Sequence, residues 1–229
     1  MHIQINSLIS GAESAEGTVI IVDVFRAFTT TAVAFSRGAQ KILMVAEIHE
    51  ALALRENGKA QLCMGEVDGK KPAQFDHGNS PYEISHADMN GLVIAQSTRA
   101  GTVGVAKAAK ADRIFAGSLV TAEATVRAIL AIRPGIVTIV AMGAAGLARS
   151  DEDEQCALLL KNRLQGRLVN SSAVRSLILA GEESQKYDNP LLPHFHPKDR
   201  DVALEIDSLE FAIEIHAEKG LATAYPSNR

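Results

Sequence analysis

The sequence predicts an α/β fold, with a layered and mostly parallel sheet, helices on both faces and a more helical C-terminal portion. Three observations lead to this prediction. Short Val- and Ile-rich runs alternate with Ala-rich stretches of helical period. Several of these runs are apolar throughout, which is typical of strands covered on both faces. Each strand–helix–strand repeat also implies a parallel crossover connection.

The elements follow one another in regular order up to about residue 164. We expect strands over 18–24, 41–45, 61–64, 92–96, 113–116 and 136–142, with 2–6 as an edge strand. We expect helices over 28–36, 47–57, 102–109, 122–132 and 151–164 between and after them. The polar connection 67–90 is long enough to suggest a functional loop.

Beyond residue 166 the strand pattern fades, and helices are predicted near 172–180 and 199–219, on either side of a Pro- and His-containing loop at 189–197. The chain of 229 residues is 47% hydrophobic, which suffices for one full core. We therefore expect residues 1–229 to form a single α/β domain, with 166–229 as a helical extension packed on it.

Composition excludes several classes of function. A net charge of −4 without a Lys/Arg cluster, and 4% aromatic residues without Trp, argue against nucleic-acid binding. No apolar run approaches the length that spans a bilayer, and no signal peptide is recognisable. Cys63 and Cys156 do not form a CxxC pair, so we expect two buried thiols in a reducing compartment. These features predict a cytoplasmic protein with no nucleic-acid or membrane partner, whose Ala-rich helices permit a homo-oligomer.

Ligands of α/β sheets bind beyond the carboxyl ends of the strands, so the residues that follow each predicted strand are the candidates for chemistry. At the end of the 18–24 strand, Asp23 could hold a metal and Arg26 could grip an oxyanion with two N–H groups. Thr29 and Thr30 lie at the start of the next helix, where hydroxyls and free N–H groups can cradle a phosphate. A helix cap with a structural Asp–Arg pair is an equally open alternative.

The next strand is followed by Glu66 and by a loop that carries Asp76, Asn79 and Ser80. Closely spaced Asp, Asn and Ser oxygens suit a hard cation that keeps some of its waters, such as Mg²⁺. The same residue types also form ordinary turns, which is the alternative interpretation.

Three further strand ends carry similar groups. Thr98 and Arg99 precede a helix and could bind an anion, and Ser118 follows the 113–116 strand. After the last of these strands, Ser150 with Asp153 fits a capping box, yet four carboxylates in succession at 151–154 exceed what capping needs. The recurrence of such groups at five strand ends predicts a pocket for a small phosphorylated anion with a divalent cation.

These motifs together resemble the 2-phosphosulfolactate phosphatase (ComB-like) family over roughly residues 18–164. The most specific carriers are the Asp-x-x-Arg-Ala-x-Thr-Thr-Thr segment at 23–31 and the Asp-x-Gly-Asn-Ser-Pro segment at 76–81. The chain departs from the family pattern at Val67, Arg99 and Thr121, where the family usually has Arg, Asn and Asn. The resemblance implies a Mg²⁺-dependent phosphatase that converts 2-phosphosulfolactate to sulfolactate and phosphate.

On this reading, each candidate receives an expected role. The catalytic residues are Asp23, Arg26 and Glu66. The substrate-binding residues are Thr29, Thr30, Asn79, Ser80, Thr98, Arg99 and Ser118. Of these, Arg99 and Ser118 are expected to hold a second anionic group of the phosphomonoester. The metal ligands are Asp23, Asp76, Asp151 and Asp153. Two alternative functions stay open at this point: a phosphatase of another phosphorylated hydroxy acid, and a non-catalytic binder of an anionic metabolite. Direct attack by water and a covalent phospho-enzyme on Asp23 also both stay open.

Overall fold

The computed structural model of the chain describes residues 1–227, which form one nine-stranded sheet with helices on both faces. The strands are β1 (His2–Ser7), β2 (Gly17–Val22), β3 (Lys41–Val45), β4 (Leu62–Gly65), β5 (Val93–Ser97), β6 (Ala111–Gly117), β7 (Ile136–Ala141), β8 (Ala212–Glu218) and β9 (Leu221–Ser227). The helices are α1 (Leu8–Ser14), α2 (Ala27–Ser36), α3 (Ile48–Glu56), α4 (Pro81–Ser85), α5 (Gly101–Lys107), α6 (Ala122–Ile132), α7 (Asp151–Leu164), α8 (Ser171–Ala180), α9 (Glu182–Gln185) and α10 (Pro197–Ala203). Among the residues described, no helix has both the length and the apolar character needed to cross a bilayer.

The strand order is β1-β7-β2-β6-β8-β9-β3-β5-β4, so β1 is an edge strand as predicted. Two parallel groups, β1-β7-β2-β6 and β3-β5-β4, make most of the sheet. The hairpin β8–β9 lies between them and pairs antiparallel on both sides. The predicted mostly parallel α/β architecture is confirmed, and the hairpin makes the two groups run in opposite senses.

The prediction of a helix over 199–219 is wrong beyond the end of α10. Strand β8 alternates: Ile213 and Ile215 pack in one core cluster, whereas Ala212 packs in the cluster on the other face of the sheet. That period of two is typical of a strand. Lys219 and Gly220 both have positive φ, 52° and 80°, which suits the tight turn of a two-residue hairpin. Helices α8, α9 and α10 lie within residues 171–203, with a loop at 189–196 before α10. The single-domain division of the chain stays a prediction.

Strand β2 lies inside the first parallel group, and its side chains pack into the hydrophobic core on both faces of the sheet. Val19 and Ile21 pack with α1, α2 and α5, whereas Ile20 and Val22 pack with α6, α7 and α8. All four side chains are fully buried, which explains why the strand reads as continuously apolar. The two cysteines are buried and unpaired, as expected.

Candidate active site

A cavity of about 440 Å³ lies where the chain leaves β2, β4, β5 and β7. Residues that follow strands of both parallel groups line it, β2 and β7 from one group and β4 and β5 from the other. The volume is within the usual range for small-molecule sites. Five of the predicted site residues line it: Asp23, Arg26, Glu66, Asn79 and Arg99.

Asp23 is a buried carboxylate at the end of β2. Its Oδ1 accepts a hydrogen bond of 3.0 Å from Ala27 N, and the nearby Gly101 N–H also lowers the pKa of the carboxylate. A Cβ at position 101 would lie 3.0 Å from Asp23 Oδ2, so glycine allows this close approach. Burial is the main cause that raises the pKa of Asp23 to about 6, and the charge of Glu66 adds to it. No cation forms an ion pair with Asp23 within residues 1–227.

Glu152 and Asp153 begin α7 and lie close enough to Asp23 for the three charges to interact. Asp153 accepts hydrogen bonds from Val24 N at 2.7 Å and from Gly143 N at 2.8 Å, and so ties the ends of β2 and β7 together. Glu152 instead lines the cavity. Burial is the main cause that raises the pKa of Glu152 to about 7 and that of Asp153 well above its usual range.

The capping box predicted for Ser150 and Asp153 is therefore wrong. The Asp153 carboxylate is fully engaged by the two strand ends, and Ser150 Oγ is buried with no hydrogen-bond partner among residues 1–227. The acidic segment 151–154 instead supplies Glu152 to the cavity wall and Asp153 to the hydrogen bonds that join the ends of β2 and β7.

Arg26 is held by a network rather than by Asp23. Its Nη1 donates to Asp199 Oδ2 at 3.0 Å and to His194 O at 2.8 Å, and its Nη2 donates to Gly69 O at 2.9 Å. The guanidinium also lies 4.9 Å from the centre of the Phe195 ring. Nε and the second N–H of Nη2 make no hydrogen bond within residues 1–227, and the side chain lines the cavity, so these donors can serve a ligand.

Asp199, which is fully buried, extends the network to α4. It accepts hydrogen bonds from Ser80 Oγ at 2.5 Å and from Tyr82 N at 3.1 Å. Ser80 Oγ also accepts from Glu83 N, so it caps α4 and does not line the cavity. Asn79 does line it, and its buried Oδ1 has no hydrogen-bond partner in the described part of the chain.

Both carboxylate oxygens of Glu66 accept hydrogen bonds from backbone N–H groups. Oε1 accepts from Arg99 N and Oε2 accepts from Gly69 N, each at 2.8 Å. The preceding Gly65 has φ of 149°, and any side chain there would overlap Ser97 O. Glu66 thereby joins the loop at Gly69 to the loop at Arg99. This indicates that Glu66 positions these two loops in addition to lining the cavity.

The predicted metal set is not brought together. Asp76 accepts hydrogen bonds from Arg55 and from Cys63 N, both at 2.8 Å, and lies outside the cavity. Partial burial opposes it, yet the Cys63 N–H and Arg55 hold the pKa of Asp76 below its usual value. Asp151 is exposed and outside the cavity. Within residues 1–227, no three Asp, Glu, His or Cys side chains form a preformed metal centre.

Four predicted substrate ligands also lie outside the cavity and are buried. The Thr29 hydroxyl donates to Val24 O at 2.8 Å, and Thr98 bonds to Thr102. Ser118 Oγ lies 3.3 Å from Thr121 Oγ1, and Thr30 Oγ1 is buried with no partner in the described residues. Hydroxyl groups at helix starts bond readily to nearby backbone, as Thr29 does, and none of the four lines the cavity where a ligand would be bound.

Residues outside the predicted set of site residues complete the wall, chiefly Lys70, Glu152 and His194. Glu152 is indistinguishable from its acidic neighbours in the sequence, and His194 arrives from a loop about 170 residues after Asp23. Burial, followed by the charges of Lys70 and Arg26, lowers the pKa of His194, so its ring carries little charge near neutral pH.

Comparisons with known proteins show which family the chain resembles in sequence. The model of a family described as 2-phosphosulpholactate phosphatase matches residues 3–198, which include every cavity residue named above. A probable 2-phosphosulfolactate phosphatase of Thermoplasma volcanium is 30% identical over 83% of this chain and 85% of its own length. Proteins of the same description from Thermoplasma acidophilum and Bacillus subtilis are 33% and 28% identical over 67% and 79% of this chain, and over 68% and 78% of their own lengths.

Proposed function

Because the chain belongs to the 2-phosphosulpholactate phosphatase family, we propose that its cavity hydrolyses 2-phosphosulfolactate to sulfolactate and inorganic phosphate with the help of Mg²⁺. The enzyme is a phosphoric monoester hydrolase. In the reaction, a water oxygen bonds to phosphorus and the bond from phosphorus to the hydroxy-acid oxygen breaks. That oxygen leaves with a proton, so the products are an alcohol and phosphate.

One observation carries this proposal. The inner wall of the cavity holds two buried carboxylates, Asp23 and Glu152, that form no ion pair with any Lys, Arg or His of residues 1–227. A phosphate monoester dianion would be repelled by such a wall unless a cation lay between them. The combination therefore favours a ligand that arrives together with a divalent metal ion.

The residues fit a hard cation. Asp23 contributes a carboxylate, and Asn79 Oδ1 is a buried acceptor without a hydrogen bond to residues 1–227. Mg²⁺ in proteins is usually held by one or two carboxylates together with substrate phosphate oxygens and water, so a cage of three acidic side chains is not required. A bound Mg²⁺ neutralises the charge of the phosphoryl oxygens.

The chain's own groups supply the rest of the chemistry. The free N–H groups of Arg26 bind a phosphoryl oxygen, and the contact with Asp199 keeps the guanidinium in place. Glu152, whose pKa is raised to about 7 by burial, is partly protonated at neutral pH and donates its proton to the leaving oxygen. Leaving-group stabilisation matters in phosphoryl transfer because its transition state is loose.

The test is phosphate release by the purified chain from a panel of phosphomonoesters, with Mg²⁺ or with EDTA. We expect turnover in Mg²⁺, loss in EDTA and recovery when excess Mg²⁺ is added. Asp23→Asn and Glu152→Gln should each lower kcat by roughly 100-fold or more. Asp112→Asn, which removes an exposed carboxylate outside the cavity, is the control. No release from any ester under either condition, or full activity of Asp23→Asn, would overturn the proposal.

A further inference from the structure

The cavity contains two cations that the fold leaves free. Of its four basic side chains, Arg26 is paired with Asp199, and Lys186 forms a close ion pair with Glu183. Lys70 and Arg99 also line the cavity, are exposed, and form no ion pair with any residue of the described part of the chain. Two unpaired cations in the wall of one concave site are typical of an anion-binding position.

The backbone beneath Lys70 is held firmly. Val67 and Lys70 exchange two backbone hydrogen bonds of 3.0 Å across a tight turn, in which Asp68 and Gly69 have φ of 51° and 77°. Gly69 O also accepts from Arg26 Nη2 at 2.9 Å. A side chain at position 69 would lie 2.6 Å from the Phe195 ring, so the turn is packed on one side as well. Lys70 therefore extends from an ordered support.

Glu66 joins this turn to the loop that carries Arg99. One oxygen of its carboxylate accepts from Gly69 N, next to Lys70, and the other accepts from Arg99 N, each at 2.8 Å. A single side chain thus sets the separation of the two free cations. Ser118, which the sequence predicts to bind the second anion together with Arg99, is buried outside the cavity.

Resting on the proposed function, we propose that Lys70 and Arg99 form a second anion subsite and that Glu66 is its positioning residue. The subsite selects phosphomonoesters that carry a further sulfonate or carboxylate near the ester. The carboxylates of the inner wall serve the metal-bound phosphate, whereas the two cations receive the second anion. Substrate choice is thereby separated from the phosphoryl chemistry.

The test compares two esters in Mg²⁺: 2-phospholactate, which carries a carboxylate, and p-nitrophenyl phosphate, which carries no second anion. Lys70→Ala and Arg99→Ala should each raise KM for 2-phospholactate by roughly 10–100-fold, since each removes a charged hydrogen-bond donor. The kcat for this ester, and kcat/KM for p-nitrophenyl phosphate, should stay within about twofold. Lys110→Ala removes an equal charge at an exposed site outside the cavity and is the control.

Glu66→Gln tests the positioning role. Gln keeps one oxygen acceptor but faces the other N–H with its own NH₂ group, so KM for 2-phospholactate should rise by a larger factor than KM for p-nitrophenyl phosphate. Equal losses on both esters, or no change in KM with any of the three variants, would refute the subsite. If the wild type hydrolyses neither ester, the proposed function itself fails. If it hydrolyses both without preference and the variants match it, only the subsite fails.

Discussion

Replacing Asp23 with Asn should stabilise the metal-free protein at alkaline pH although it removes activity. Folding raises the pKa of Asp23 from 3.8 to about 6, chiefly through burial. The folded state therefore holds the proton more tightly than the unfolded chain. For such a group, stability is fully present below the unfolded pKa and is lost as the pH rises through the folded pKa.

The magnitude follows from the shift. Because the folded pKa lies above the unfolded one, ionisation of Asp23 lowers the free energy of unfolding of the wild type by about 3 kcal/mol at about pH 8. At about pH 4 the same effect is less than about 1 kcal/mol. Asn cannot ionise, so Asp23→Asn avoids this loss. The substitution also lowers the free energy of unfolding by about 1 kcal/mol, because the Asn NH₂ group faces a backbone N–H where the carboxylate has an oxygen. A net gain of about 2 kcal/mol at about pH 8, and none at about pH 4, is the expected outcome.

The assay is urea unfolding in EDTA at the two pH values, with the free energy of unfolding of wild type, Asp23→Asn and Glu152→Gln compared. Glu152→Gln should behave like Asp23→Asn, because burial also raises its pKa, to about 7. Asp112→Asn, at an exposed position, should change stability by no more than about 0.5 kcal/mol at either pH. An Asp23→Asn variant that is equally destabilised at both pH values would refute the reasoning.

Three further substitutions test the supports of the cavity. Arg26→Ala leaves Asp199 buried without its cation and should lower the free energy of unfolding by about 3–5 kcal/mol in urea titrations; a loss below about 1 kcal/mol would contradict the network. Gly101→Ala places a methyl group 3.0 Å from the nearest carboxylate oxygen of the inner wall and should lower kcat/KM by roughly 10–100-fold, whereas Gly135→Ala, with open space around it, should match wild type. Asp76→Asn should leave kcat/KM within about twofold, because its carboxylate is bound to Arg55 outside the cavity; a large loss would restore Asp76 to the site.

Periodicity allowed most of the architecture to be predicted from the sequence. The apolar run of β2 is buried on both faces, and its neighbours repeat the same pattern, so strand positions and the parallel character follow. The hairpin β8–β9 could not be predicted from helix-forming composition, because the alternation around Ile213 and Ile215 is short and lies beside strong helix formers. Tertiary packing between two existing strands then decides its structure.

Five of the predicted site residues line the cavity, and three of them lie within two residues of a strand end. Asp23 follows β2 and Arg99 follows β5, and both line the cavity. Asp76 had equally suitable chemistry, but a local partner, Arg55, binds its carboxylate. Whether Lys70 reaches the cavity depends on the geometry of the turn before it, and whether Glu152 does depends on the rotation of α7 about its axis. Neither can be predicted from the local residue pattern.

The most direct measurement of the central claim is ³¹P NMR of 2-phosphosulfolactate incubated with the purified protein and Mg²⁺. The wild type should convert the ester signal into inorganic phosphate with matching loss and gain. Asp23→Asn should leave the ester unchanged over the same time, and so should the wild type in EDTA. An ester signal that persists with the wild type, or that disappears equally fast with Asp23→Asn, would contradict the account.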